Sequence, residues 1–170
     1  MIELYDFLEE DFPRLRSWIN SKKELVQFAG PIFKYPLSDT QLINYLKMDN
    51  IRPMKAVLKS TNEPIGHCEL NFENGNKRLS RILIGNTNLR GKNIGEEIVR
   101  KMVDLLFKDP ETNEVDLNVF DWNIAAIKCY EKVGFKKNQI INTQTVVEGE
   151  IWKRVNMKLK KQAYRKSPRQ

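Results

Sequence analysis

Leu89-Arg90-Gly91-Lys92-Asn93-Ile94-Gly95 joins two segments of different periodicity. Before it, Arg78 to Gly85 has the apolar, branched composition of a strand. After it, Ile94, Ile98, Met102, Leu105 and Leu106 recur at helical spacing. The segment is therefore a strand-to-helix bend, with a loop from Asn86 to Asn93. Gly91 and Gly95 allow close backbone approach, and successive N–H groups in such a bend form a nest that the helix's positive end reinforces. Arg90 and Lys92 add formal charge, so the bend suits a diphosphate; a plain surface turn is the other reading. It lacks the GK[ST] ending of a Walker loop and is not a dinucleotide fingerprint.

At the N-terminal end Ile2 to Phe7 reads as a strand, and Asp11-Phe12-Pro13 opens a helix carrying Leu15, Trp18 and Ile19. A second helix follows Ser38-Asp39-Thr40. Met54 to Lys59, Pro64 to Phe72 and Arg78 to Gly85 form a meander, with turns at Thr61-Asn62-Glu63 and Asn74-Gly75-Asn76. In its middle strand Ile65, His67, Glu69 and Asn71 share one face; Gly66, Cys68, Leu70 and Phe72 share the other, which is the expected core face. Beyond the bend come a strand from Val115 to Phe120, a helix from Asn123 through Lys132 ended by Gly134, and strands Lys136 to Val147 and Glu150 to Lys160.

A second block is Val119-Phe120-Asp121-Trp122-Asn123-Ile124-Ala125-Ala126-Ile127-Lys128-Cys129-Tyr130-Glu131-Lys132-Val133-Gly134-Phe135. It resembles the Asn-x-x-Ala-x-x-x-Tyr-x-x-x-Gly-Phe signature of the GNAT family of N-acetyltransferases. The bend resembles that family's acyl-CoA motif, [QR]-x-x-G-x-[GA]. Arg90 and Gly95 match its ends and Asn93 stands at the central glycine, a position where Asn tolerates a left-handed backbone better than other side chains. The nearest branch is similar to ribosomal-protein and small-amine acetyltransferases.

The resemblance implies an α/β (α+β) fold. It would be a single domain over residues 1–160, with a mixed, mostly antiparallel sheet of six to seven strands splayed around an acyl-CoA cleft, about four helices, and a basic tail at 161–170. It implies transfer of an acetyl group from acetyl-CoA to a primary amine by direct attack through a tetrahedral intermediate, with no metal. In this reading the backbone of Ile82, Leu83 and Ile84 pairs with the pantetheine arm, and an N–H there polarises the thioester carbonyl. Arg90, Gly91, Lys92, Asn93, Ile94 and Gly95 hold the diphosphate, and Asn123 contacts the pantetheine or simply caps its helix. Tyr130 is the general acid that protonates the departing thiolate, against the plainer reading of an aromatic packed on the sheet. Glu69 is the general base, directly or through water, with His67 the other candidate on that strand face; a solvated face or an ion pair is the competing reading. The region of Glu24, Gln27, Phe28 and Tyr35 is where similar proteins shape the acceptor site.

Composition bounds the alternatives. The chain has 170 residues, 41% of them apolar and 30% charged, which suits one globular domain. No apolar run reaches membrane-spanning length, and the acidic, alternating N-terminus is not that of a secretory signal, so the expected location is cytoplasmic. Two cysteines and one histidine do not make an ordinary zinc site or a disulfide scaffold. Between Lys153 and Gln170 lie eight basic residues and no acid; subtracting eight from the net charge of +7 leaves −1 for the rest. The basic end can touch a polyanion, but no aromatic pattern of nucleic-acid binding accompanies it. The resemblance implies a small-molecule amine or a protein amine as the partner, and the terminal strands can pair in a homodimer. A non-catalytic acyl-CoA-binding module is the alternative function.

Overall fold

The computed structural model describes residues 1–166, apart from the side chains of residues 139–143 and 166. Seven strands form one sheet: β1 (Ile2–Asp6), β2 (Ile51–Leu58), β3 (Glu63–Asn71), β4 (Arg78–Ile84), β5 (Glu114–Phe120), β6 (Lys136–Val147) and β7 (Glu150–Lys160). Their order is β1-β2-β3-β4-β5-β7-β6. Every neighbouring pair is antiparallel except β4 and β5. Six α-helices flank it among the described residues: α1 (Phe12–Ser17), α2 (Lys22–Ala29), α3 (Asp39–Leu46), α4 (Ile94–Phe107), α5 (Ile124–Val133) and α6 (Lys161–Lys166).

α4 buries Ile98, Val99, Met102, Val103, Leu106 and Phe107 as one stripe against Met54, Cys68, Leu70, Leu79, Val115 and Leu117 of the sheet. A second apolar cluster joins Phe12, Leu15, Leu25, Phe28, Leu42 and Tyr45 of α1–α3 with Phe7 and Ile51. Helices therefore cover both faces of the sheet's first half, and β3 is buried on both sides. That corrects the expectation of a single core face: His67 and Glu69 are fully buried, and Asn71 nearly so. A central strand enclosed on both faces can carry polar residues inward when they are paired, so alternation alone does not reveal the solvent side.

Two helices lie beyond the expected four. Ser21 starts α2 by accepting from the Glu24 N–H (3.1 Å), and Gly30 ends it at φ +63°. The Ser-x-x-Glu spacing is the sequence signal that marks this start. Residues 161–166, expected as the beginning of a tail, continue from β7 as α6. The Lys161 ammonium donates to the Asp109 carbonyl (2.9 Å), and Tyr164 packs on Phe107. Residues 167–170 of the basic end lie outside the described residues. Of the terminal strands expected to be free for a dimer, β1 is an edge, whereas β7 is paired on both sides.

Candidate active site

β4 and β5 run side by side only at Arg78–Asp116 and Leu79–Leu117. At that closed end Arg78 grips Asp116 with two hydrogen bonds (2.9 and 2.7 Å). Asn156 of β7 donates to the side chains of Asp116 and Asn118 (both 2.9 Å). Past this latch the strands follow different partners: β4 stays with β3 as far as Ile84, and β5 stays with β7 as far as Phe120. A splay opens between them, leaving the β5-facing edge of Ile82, Leu83 and Ile84 without a strand partner among the described residues. An unpaired row of N–H and C=O groups accepts an extended ligand as it would another strand.

The bend closes one end of that edge. The guanidinium of exposed Arg90 turns back to donate to the Ile84 carbonyl (3.3 and 3.0 Å); Lys92 is exposed too. Gly91 at φ +77° and Asn93 at φ +62° put left-handed residues on both sides of Lys92, so Asn93 fills the glycine position in the conformation its chemistry permits. The Asn93 side chain does not cap α4, which leaves the first-turn N–H groups of Ile94 and Gly95 without a side-chain acceptor. A β-carbon on Gly91 meets open space, whereas one on Gly95 would lie 3.4 Å from Cys129 Sγ and from Ile84 Cδ1. Gly95 thus sits where α4, α5 and β4 converge. A backbone edge with no strand partner, its Ile84 carbonyl held by Arg90, together with an open loop and an uncapped helix start, fits the arm and diphosphate of a coenzyme A molecule.

On α5, Asn123 caps the helix by accepting from the Ala126 N–H (3.3 Å). Half-buried Tyr130 packs edge-on to Phe135 and borders the same apolar cluster as Ile82, Ile84 and Ile94. Its hydroxyl makes no hydrogen bond to a described residue, and burial raises its pKa, so it stays protonated at neutral pH. Cys129 beside it is half-buried and pushed up to about 11 by burial.

Glu69 is placed differently from the solvated strand face considered for it. It lies under α3 in an ion pair with Arg81, accepts from the Tyr45 hydroxyl, and is approached by the Asn71 amide (3.4 Å). Burial raises its carboxyl above the ordinary range, with Arg81 and the hydrogen bonds opposing that shift. His67, the other candidate base, is enclosed by Phe7 and Phe28 and pushed down to about 4 by burial. Tyr45 and Arg81 were not singled out in the sequence. The signal for Arg81 was a basic residue inside the apolar run of β4, one strand away from the acidic Glu69 of β3; Tyr45, on α3, carried none. In the expected acceptor region Phe28 is buried, Glu24 accepts from the Asn20 N–H (2.6 Å), and exposed Tyr35 donates to the Asn20 carbonyl (3.0 Å); Gln27 is exposed.

The family model described as an acetyltransferase (GNAT) domain matches residues 2–136. The chain belongs to the GNAT family. This GNAT domain is 29% identical over 151 residues to the aminoglycoside N(6')-acetyltransferase type 1 of Klebsiella pneumoniae, covering 79% of this chain and 74% of that protein. Its fold matches the crystal structure of aminoglycoside acetyltransferase AAC(6')-Ib in complex with coenzyme A. The TM-score is 0.77 at 26% identity, over 98% of this chain and 99% of that one. Spermidine N-acetyltransferase from Vibrio cholerae, in complex with CoA and spermine, shares the fold at TM-score 0.78 and 16% identity, over 96% and 97% of the two chains. The GNAT domain is an acetyl-CoA-dependent N-acetyltransferase, with acetyl-CoA as co-substrate. No helix among the described residues is long and apolar enough to cross a membrane.

Proposed function

We propose that this enzyme acetylates a primary amine of a small polycationic molecule of the aminoglycoside class. The observation that carries the reading is the match to an aminoglycoside acetyltransferase over nearly the whole of both chains. The carboxylates of Glu24, Asp121 and Glu148, exposed on α2 or beside the ends of β5 and β6, are the groups that would attract such a cation; Glu150 beside them is paired with Lys23 (2.6 Å). α2 reaches this end of the sheet through Val26, which packs with Phe120, Val147 and Trp152.

The residue roles follow from chemistry. The edge of Ile82, Leu83 and Ile84 aligns the thioester arm, and one N–H there draws electron density from the carbonyl the amine attacks. The N–H groups from Gly91 to Gly95 hold the diphosphate, with Lys92 adding charge; Arg90 shapes the loop through the Ile84 carbonyl. Asn123 sets the start of α5 and so the position of Tyr130. Tyr130, protonated at working pH, gives its proton to the sulfur as the thiol leaves. Thiol release from acetyl-CoA, followed with kanamycin, ribostamycin, spermidine and a short peptide as acceptors, tests the reading. The highest kcat/KM is expected with an aminoglycoside; turnover confined to the peptide would overturn it.

A further inference from the structure

Arg81 breaks the β3–β4 ladder. Glu69 pairs with Ser80, but His67 pairs with Leu83, so Arg81 and Ile82 together face the single residue Cys68. Arg81 has φ +48°, a left-handed conformation that costs an arginine inside a strand free energy its surroundings must offset. Those surroundings hold it at both ends. Its carbonyl accepts from His67 Nδ1 (3.0 Å), and its guanidinium pairs with Glu69. The Tyr45 hydroxyl donates to the same carboxylate, and the Tyr45 ring lies 5.5 Å from the guanidinium carbon. Phe7 and Phe28 fix the His67 ring edge-on, with centroids at 4.9 and 5.2 Å.

A buried ion pair in a central strand is a poor source of stability compared with apolar packing, but it fixes geometry. Here the geometry is a bulge immediately before Ile82, Leu83 and Ile84, and a bulge re-aims the strand that follows it. Glu69 has both oxygens engaged and no exposed surface, an arrangement suited to holding a neighbour and not to meeting an amine.

We propose that Glu69 and His67 are positioning residues: they clamp Arg81 in the bulge that aims the β4 edge at the thioester, and Glu69 is not the base that takes the amine proton. This rests on the reading that the β4 edge receives acetyl-CoA.

The test uses glycine, which adopts a left-handed backbone unassisted. Glu69→Gln leaves the guanidinium unpaired and should lower kcat/KM for acetyl-CoA by roughly 10- to 100-fold, as a small misplacement of reacting groups does. It should keep the acidic limb of the pH–rate profile. Adding Arg81→Gly to Glu69→Gln should recover activity to within about fivefold of wild type, because the bulge then needs no clamp. A folded double variant without recovery, or a Glu69→Gln enzyme that has lost the acidic limb, overturns the proposal. Should the double variant not fold, His67→Gln decides. It removes the ring's hold on the carbonyl and should raise KM for acetyl-CoA while leaving KM for the amine in place; an unchanged acetyl-CoA KM overturns the clamp. Amide hydrogen exchange at Ile82 to Ile84, faster in Glu69→Gln and slowed again in the double variant, reads the bulge without substrate. A wild-type enzyme inactive on every amine therefore contradicts the proposed function and leaves this readout standing.

Discussion

Trp18 lies directly on Gly85: a β-carbon built on the glycine would come within 2.0 Å of the indole ring. The residue that follows α1 thereby packs against the point where β4 gives way to the loop proposed to hold the cofactor, and any side chain at 85 must expel the ring. Gly85→Ala is expected to cost about 1–3 kcal/mol, the usual penalty of overpacking, measured by chemical denaturation. Coenzyme A affinity should fall with it, because the loop begins at that residue.

Tyr130→Phe keeps the ring that packs on Phe135 and removes only the hydroxyl. Turnover should fall by about 10²-fold or more, the usual worth of a placed acid. KM for acetyl-CoA should change by less than about twofold, since no binding contact is lost in this reading. Initial-rate kinetics with a saturating amine measures both.

At Gly91 the space around a new side chain is open, so a substitution there acts through backbone strain. A residue with a β-carbon at φ +77° costs about 1–2 kcal/mol unless the loop rearranges. Gly91→Val should therefore weaken coenzyme A binding by about tenfold, measured by titration calorimetry, because a free loop that relaxes away from the strained φ must return to it on binding.

His67 gives the fold a pH dependence whose sign is fixed by its burial. Its folded pKa is about 4, below the ordinary 6.5, so the unfolded chain binds more protons between those values. Its contribution is intact above about pH 6.5 and is lost as pH falls toward 4, by at most about 3 kcal/mol. Glu69, whose pKa is raised, works in the opposite direction, and comparing wild type with His67→Gln largely cancels it. Urea midpoints should drop more steeply between pH 7 and 5 for wild type than for the variant.

Both thiols are protected. Cys68 is buried with its pKa raised, and Cys129 is half-buried near 11. At pH 7.5 an aromatic disulfide reagent should react slowly with the native protein and should titrate two thiols after denaturation. Fast reaction of the native enzyme would contradict the packing of Cys129 against Gly95.

The strands, the bend and the Tyr130 helix were legible because each carries a local signal: branched residues between turns, two left-handed positions around Lys92, an Asn cap and a Gly stop. What stayed hidden depends on residues distant in the chain. Glu69 and Arg81 meet only because β3 and β4 pair with a bulge, and Tyr45 joins them from α3. The buried face of β3 was illegible for a related reason. Its polar residues look solvated until the helices that cover them, α2 among them, are placed. Tyr164 hides similarly, since a basic segment reads as a tail until one aromatic docks.

In the proposed reaction the splay between β4 and β5 brings acetyl-CoA and an amine together beside Tyr130. Its most direct test is thiol release from acetyl-CoA with kanamycin, run alongside mass spectrometry of the acceptor, for wild type and Tyr130→Phe. One acetyl group gained per thiol released is expected of wild type, with turnover reduced by about 10²-fold in the variant. Equal rates from both proteins would contradict it.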